Sequence, residues 1–464
     1  MVGILTLPVE LVREVCRQIR DGDEQVDHKR DWKKEQKALA HLCRTSKAFD
    51  QIARPVLYNR IEVSLRQERF LSLIRTLASR NDLSQIVQHL KLKSSDFYRH
   101  ELIQNPEDDG TINVTDIFGK WWPESVNNAK LHKELCNWKK PVDVLYILVP
   151  NIETMRIFTA PIPRYTAYEE SPSMVLLDIC RLRQAREEDR FVAPLGRLTS
   201  LDVSNNGRRH FSSTWYINSL FSLAPTGLVS LTIRHFDGSG GVGSLCANLR
   251  SLSLYDCSLG RTDMATLMAT CRGLRKFAYT QAYEDDGFGF EDCMTALKER
   301  SSTLVELYLL FRVYDRWEDR TYDSFASFTS LKILSIHTEH MIRSGADLEP
   351  GNAEIINTFP KSLEVFNVIT DIGVESALAP RLVRLGELAT GGDLPNLKLV
   401  EIQCHPGPLN MVGDINVRRS YLDYVKQQLW GLVAGSCTLP LRISAYDGDG
   451  KDPSAQSRLR VKRV

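Results

Sequence analysis

The sequence lacks any apolar run long enough to cross a bilayer, which takes about 20 consecutive residues. Its first segment leads directly into an amphipathic pattern, without the long apolar core of a secretion signal. A strong charge of either sign is also absent, because 59 basic and 58 acidic residues give a formal net charge of +1. This balance argues against a nucleic-acid-binding protein and against binding to a membrane surface.

The ten cysteines include no C-x-x-C pair, so neither a zinc ribbon nor a thioredoxin-like redox motif is indicated. Several of them occupy apolar positions, where cysteine commonly serves as a small hydrophobic residue. We therefore expect reduced thiols within the core of a cytoplasmic or nuclear protein.

Motifs for catalysis are missing as well: the chain has no G-x-S-x-G and no phosphate loop ending in G-K-[ST]. Residues 238–243 fit G-x-G-x-x-G, but the next strand pattern follows too soon for a dinucleotide-binding fold. Residues 337–340 (HTEH) lack the H-E-x-x-H order of a zinc site, and residues 447–452 begin like a calcium loop that has Arg458 where glutamate is needed. We expect no cofactor, no metal ion and no enzymatic activity.

A short repeated phrase is present instead: a leucine, two residues, an apolar residue, one residue and another apolar residue. The middle apolar positions of eight copies lie 30, 21, 25, 30, 27, 32 and 34 residues apart. The copies are Leu198/Leu201/Val203, Leu228/Leu231/Ile233, Leu249/Leu252/Leu254, Leu274/Phe277/Tyr279, Leu304/Leu307/Leu309, Leu331/Leu334/Ile336, Leu363/Phe366/Val368 and Leu397/Val400/Ile402, with weaker ones at Val87/Leu90/Leu92 and Ile152/Met155/Ile157. This period is typical of leucine-rich repeats, in which stacked neighbours bury the apolar side chains of each strand.

The repeat predicts an α/β fold: an irregular leucine-rich-repeat-like solenoid over residues 59–445, with a curved parallel sheet and helical returns at 70–83, 259–271, 290–301 and 352–359. Asparagine follows the strand in one copy only, so other groups must stabilise most of the turns. Two wide gaps suggest insertions at about 97–141 and 161–194, with a helical pattern at 175–186 in the second. A helix at 421–432 and a strand at 439–445 precede a tail, 446–464, which we expect to be flexible.

Residues 1–58 predict a small unit of three helices. Thr6 can cap the first helix and Pro8 suits its first turn, where a missing N–H leaves no hydrogen bond unmade. Ser46 can cap the third helix, and Pro55 is expected to end it. The apolar faces are Leu11, Val12, Val15 and Ile19 in the first helix, Leu39, Leu42 and Cys43 in the second, and Phe49, Ile52 and Ala53 in the third.

This arrangement resembles an F-box, the module by which substrate receptors bind a Skp-type adaptor in cullin-based ubiquitin ligases. The residues that carry the resemblance are Leu7, Pro8, Glu10, Leu11, Val15, Ile19, Leu39, Leu42, Cys43, Ser46, Lys47, Phe49 and Ile52. Residues 53–58 (ARPVLY) also resemble the end of the module in fungal members. A charged insertion at 20–37 stands where the family usually has a short loop.

The resemblance implies a substrate-recognition subunit that does no bond chemistry and bridges the adaptor, and through it a cullin, to an unknown target protein. It implies that adaptor contact is made or supported by Leu7, Pro8, Leu11, Val15, Leu39, Leu42 and Phe49. Two alternatives stay open: a repeat scaffold unrelated to ubiquitin, and an enzyme whose site lies in the insertions. The pair Trp121-Trp122 could anchor a partner or hold its own loop.

Residues that alternate with the buried positions of each phrase should lie on the solvated, concave face of the sheet. The mixture of charged and aromatic side chains there is typical of protein interfaces. We therefore expect this face to bind the target through Arg156, Asp202, Arg234, Tyr255, Lys276, Tyr308, His337 and Glu401.

Overall fold

The computed structural model describes residues 8–21, 32–64, 67–93, 141–159, 195–205, 227–235, 247–281, 288–311, 324–337, 359–370, 375–404 and 441–445. These belong to two compact units, Met1–Asn248 and Leu249–Val464. Several predictions lie outside the described residues: those for Thr6 and Leu7, Trp121-Trp122, the helices at 175–186, 352–358 and 421–432, the motifs at 238–243, 338–340 and 447–452, and the tail.

The first unit begins with helices α1 (Val9–Asp21), α2 (Trp32–Thr45) and α3 (Lys47–Asn59). Parallel strands follow, each paired with the next in chain order. These strands and the helices among them are β1 (Arg60–Ser64), α4 (Gln67–Ser79), α5 (Asn81–Ser84), β2 (His89–Lys93), α6 (Pro141–Leu148), β3 (Thr154–Thr159), β4 (Ser200–Asn205) and β5 (Ser230–Arg234).

The second unit has the same alternation of parallel strands and helical returns, again with each strand paired to the next. Its elements are β6 (Ser251–Cys257), α7 (Arg261–Thr270), β7 (Lys276–Gln281), α8 (Phe290–Leu297), β8 (Glu306–Leu310), β9 (Ile333–His337), β10 (Val365–Thr370), α9 (Glu375–Gly391), β11 (Leu399–Cys404) and β12 (Leu441–Ala445). Short 3-10 turns at Lys298–Arg300 and Phe325–Ser327 complete two of the returns.

The repeated phrase forms the core of both units. Every phrase residue is buried, and none is more than 6% exposed. The strand registers align equivalent positions, as in the pairs Leu201–Leu231 and Phe277–Leu307. The prediction of an α/β fold with parallel strands at the phrase is therefore confirmed, and so are the helices predicted at 70–83, 259–271 and 290–301.

Backbone and side-chain hydrogen bonds stabilise the turns before the strands. In the second unit, the N–H groups of Glu364 and Val365 both donate to the Lys332 carbonyl, at 2.8 and 2.9 Å. The residue just before a phrase adds a side-chain bond in several copies: the Ser330 hydroxyl donates to the Ser302 carbonyl at 2.7 Å, and the Asn396 amide donates to the Lys361 carbonyl at 2.9 Å. These bonds lie before the strands, so the expectation about the turns that follow the strands stays a prediction.

Three of the described elements were not predicted from the sequence. Strand β1 lies before the first copy of the phrase, with Ile61 and Val63 buried. Helix α6 falls at the edge of the region taken as an insertion, and helix α9 falls in the widest interval of the regular copies. Gly392 ends α9 with a φ of 90°, a conformation that glycine adopts without strain, and the N–H groups of the next two residues donate back to the Leu388 carbonyl.

In the N-terminal unit the predicted cap is confirmed: the Ser46 hydroxyl accepts a hydrogen bond from the Phe49 N–H at 3.2 Å. The prediction that Pro55 ends the third helix is wrong, because α3 continues through Pro55 to Asn59. Pro55 itself is exposed, while Val56 after it is buried, and this burial offsets the cost of the lost backbone hydrogen bond.

Leu231→Ala and Val229→Ala form a matched pair two residues apart at strand β5. Leu231 is fully buried and Val229 is 38% exposed. We expect Leu231→Ala to lower the free energy of unfolding by about 2–5 kcal/mol through lost burial and a cavity. Val229→Ala should change it by no more than about 0.5 kcal/mol. Urea denaturation followed by circular dichroism measures both, and equal effects would contradict the assigned burial of Leu231.

Candidate functional site

Helices α1–α3 enclose a small core of their own. Its buried members are Val12, Cys16, Leu39, Phe49, Ala53 and Val56, and Ile19, Leu42, Cys43, Ile52 and Leu57 pack against them. Helix α1 contributes Val12, Cys16 and Ile19, which are spaced by four and three residues and therefore lie on one side of the helix. The prediction of one apolar face that also includes Leu11 and Val15 is wrong, because those two side chains point away from this core.

The outer surface of α1 carries two exposed apolar side chains one turn apart, Leu11 and Val15, together called the α1 strip. Val9 is exposed too but lies on another side of the helix, and the exposed fractions of Val9, Leu11 and Val15 are 48%, 53% and 47%. These are three of the four large apolar side chains that are exposed among the described residues; the fourth is Val229. Pro8, at the start of the helix, is also exposed. Such a cluster of apolar surface is typical of a site that another molecule covers.

The structure divides the residues predicted to bind an adaptor. Pro8, Leu11 and Val15 lie at the surface, whereas Leu39 and Phe49 are buried within the three-helix core. Leu42 is partly buried against that core, and Leu7 lies outside the described residues. Val9 was not predicted as a surface residue, although it directly follows Pro8 at the start of the helix.

Polar side chains surround the α1 strip along the same helix. The Gln18 amide donates to the Glu14 carboxylate at 2.9 Å, and Arg17 lies 3.6 Å from the same carboxylate. Both ionic groups are about half exposed, so this pair contributes little to stability. An apolar patch with a polar border is the usual anatomy of a protein interface.

The open sheet face of the first unit carries charged pairs. Arg156 on β3 contacts Asp202 on β4 at 2.8 Å, and Arg234 on β5 lies 3.9 Å from the other oxygen of that carboxylate. Arg156 is half exposed and Asp202 mostly buried, so Arg156 offers its remaining donors to solvent. These three predicted target-binding residues therefore lie together.

One further ion pair extends this charged face toward β1. Lys91 on β2 contacts Glu62 on β1 at 3.0 Å, and its ammonium also lies 5.5 Å from the centre of the Phe158 ring. The ring face attracts the cation in addition to the carboxylate. From β1 to β5 the face thus carries one acidic, two basic, one acidic and one basic side chain, and each carboxylate contacts a cation on a neighbouring strand.

The equivalent face of the second unit differs from the prediction. Tyr255, Tyr308 and His337 are 6%, 7% and 4% exposed, so they are not solvated. The two tyrosines are buried because they pack against each other's neighbours on the same face of the sheet. This apolar cluster consists of Tyr255, Ala278, Tyr308 and Ile369. Lys276, which pairs with Glu306 at 3.2 Å, and Glu401 are only partly exposed.

A carboxylate held by two lysines lies at the turns before strands β9–β11. The Glu364 carboxylate forms ion pairs with the ammonium groups of Lys332, at 2.9 Å, and Lys398, at 2.7 Å. Each lysine belongs to one of the two neighbouring repeats. The hydrogen bonds from Lys398 and then Lys332 lower the pKa of Glu364 from 4.5 to about 2. Two cations thus hold one carboxylate ionised at the edge of the sheet.

The structure bears on metal and membrane binding only within the described residues. These include no group of three or more His, Cys, Asp or Glu side chains placed to hold a metal ion. None of the described helices has the length and apolar character that crossing a bilayer requires. Cys16, Cys43, Cys257, Cys271 and Cys293 are free thiols, and burial raises the pKa of Cys293, which disfavours its reactive thiolate.

Comparison with known proteins adds no family: no protein-family model matches the chain, and no curated protein matches it either. The α1 strip and the charged faces are therefore interpreted from their own chemistry.

The pairing of Glu364 predicts a titration that can be measured. Because its pKa is lower in the folded state, the two ion pairs stabilise the fold fully above about pH 4.5, and this stabilisation is lost as the pH falls toward 2. Carbon-13 NMR titration should place the Glu364 pKa near 2. Lys398→Met should raise it clearly. Lys361→Met, which removes a neighbouring cation that does not contact Glu364, is the control, and an equal rise in that variant would contradict the assignment.

Proposed function

We propose that the chain is the substrate-recognition subunit of a Skp–cullin–F-box ubiquitin ligase, in which helices α1–α3 bind the adaptor. The observation that supports the proposal is the α1 strip. Two half-exposed apolar side chains, Leu11 and Val15, lie one turn apart on the helix that also carries residues resembling an F-box. The three-helix core uses the other side of this helix, so the strip is available to a partner.

The energetics favour a partner at this position. Burial of a whole Val or Leu side chain stabilises by about 1.5–3 kcal/mol, so covering the remaining half of each strip residue would contribute about 1 kcal/mol. A three-helix unit of this size has a thin core and gains from association. The polar residues that border the strip would give an adaptor its orientation.

A receptor of this kind acts by position alone. It would hold a target close to the ubiquitin-charged enzyme that the cullin recruits, so that an encounter between two separate proteins becomes effectively intramolecular. In the first unit, the proposed target surface is the charged face with Arg156, Asp202 and Arg234. Arg156 is its most accessible member, and its guanidinium can bind a second carboxylate beside Asp202.

The experiment that tests the adaptor contact is co-purification with a Skp-type adaptor. Wild type should retain the adaptor, and Leu11→Asp/Val15→Asp should weaken the complex by at least about tenfold, because each substitution places a charge in an apolar contact. Both positions are exposed, so the variant should keep its fold, which circular dichroism can verify.

Val229→Asp is the control: it places one aspartate, against two in the double variant, at the one exposed large apolar residue described outside α1. It should bind the adaptor as wild type does. If wild type retains no adaptor, or if the double variant binds as well as wild type, the ligase proposal is wrong. The chain would then be better described as a repeat scaffold that acts without ubiquitin.

A further inference from the structure

The turns that lead into strands β6–β11 are strongly basic. The four residues before each of these strands are 247–250, 272–275, 302–305, 329–332, 361–364 and 395–398. They include six basic residues and one acidic residue, Glu364. All six basic residues, together called the basic edge, are exposed: Arg250, Arg272, Arg275, Lys332, Lys361 and Lys398.

This concentration of charge is local. The whole chain has a formal net charge of only +1. In the first unit, the described residues at the equivalent positions before β2–β5 include one basic residue, Arg197, and one acidic residue, Glu153. The basic edge is therefore not a general consequence of how these turns are built.

Backbone hydrogen bonds place four residues of the basic edge in one row, and Arg272 and Lys361 lie three residues before that row. The N–H of Arg275 donates to the Arg250 carbonyl at 2.8 Å, and the same contact repeats from strand to strand as far as Lys398. Neighbouring strands lie about 4.8 Å apart, so the row from β6 to β11 extends about 24 Å. An extended polypeptide covers that distance with about seven or eight residues.

Glu364 shows how this row binds a carboxylate, because its side chain lies between the ammonium groups of Lys332 and Lys398. At the other end of the basic edge, Arg250, Arg272 and Arg275 make no ion pair with a described residue, and the carboxylate of Glu306 at the start of β8 pairs with Lys276 at 3.2 Å. Arginine guanidinium groups bind carboxylates in a two-pronged geometry, which makes this end suited to further carboxylates.

The same positions favour a polypeptide over a nucleic acid. Proteins that bind single-stranded nucleic acids combine cations with aromatic side chains on which bases stack. The four-residue segments of the basic edge contain no aromatic residue. We propose that the basic edge binds an extended, Asp- and Glu-rich segment of a partner protein, with its carboxylates between cations as Glu364 is held. This inference does not depend on the proposed ligase function.

Fluorescence anisotropy with a labelled Glu-rich peptide of about ten residues tests the proposal on the full-length protein. Arg250→Glu/Arg272→Glu/Arg275→Glu should weaken binding by at least about tenfold. The control, Arg13→Glu/Lys47→Glu/Arg197→Glu, makes the same change in net charge at exposed positions of the first unit and should leave binding within about twofold. Equal weakening in both variants would overturn the proposal.

A gain of binding provides a test that misfolding cannot imitate. Glu364→Gln removes the internal carboxylate and frees two lysines, so the peptide should bind more tightly by about twofold or more. Glu291→Gln, at an exposed position of α8, is the control and should change nothing. Unchanged or weaker binding by Glu364→Gln would overturn the proposal, as would tighter binding of an oligothymidylate of similar length, which would identify a nucleic-acid surface.

Discussion

The structure depends on one backbone contact that recurs from repeat to repeat. The N–H groups of two successive residues donate to a single carbonyl in the preceding repeat: Thr199 and Ser200 donate to the Glu153 carbonyl at 2.8 and 3.1 Å, and Val305 and Glu306 to the Arg275 carbonyl at 2.7 and 2.9 Å. This contact fixes where each strand begins relative to its neighbour. A slip by one residue would turn every leucine of the phrase toward the opposite face. The buried core and the open rows of side chains are therefore both consequences of this register.

The three N-terminal helices are not positioned by the strand register, because they make no ladder of hydrogen bonds between strands. Helix α1 carries apolar residues over more than one side, and its core has room for only Val12, Cys16 and Ile19. At the junction, the side-chain amide of Asn59 donates to Gln88 at 2.6 Å, which ties the end of α3 to the first strands. The remaining apolar side of α1 has no place in either core, and this is the physical origin of the α1 strip.

The repeat was predictable because three buried positions recur at nearly constant spacing, and each copy repeats the same evidence. Strand β1 was not, since a single copy of Ile61 and Val63 before any leucine gives no period. The division of Leu11 from Val12 could not be predicted either, because both fall within one broad apolar arc and only the packing of α2 and α3 separates them. The basic edge was not predicted, since its members are far apart in sequence and only the strand register brings four of them into a row.

The α1 strip and the basic edge differ in the distance over which their interactions act. Apolar contact at the α1 strip depends on area and is insensitive to salt. Charges along a sheet edge act over about 8 Å at physiological ionic strength, which is less than two strand spacings. Adjacent cations such as Arg250 and Arg275 can therefore act on one anion, whereas the ends of the row cannot. Only a partner that is itself extended and charged along its length can use the whole edge, so the spacing of the strands selects the shape of the ligand as well as its sign.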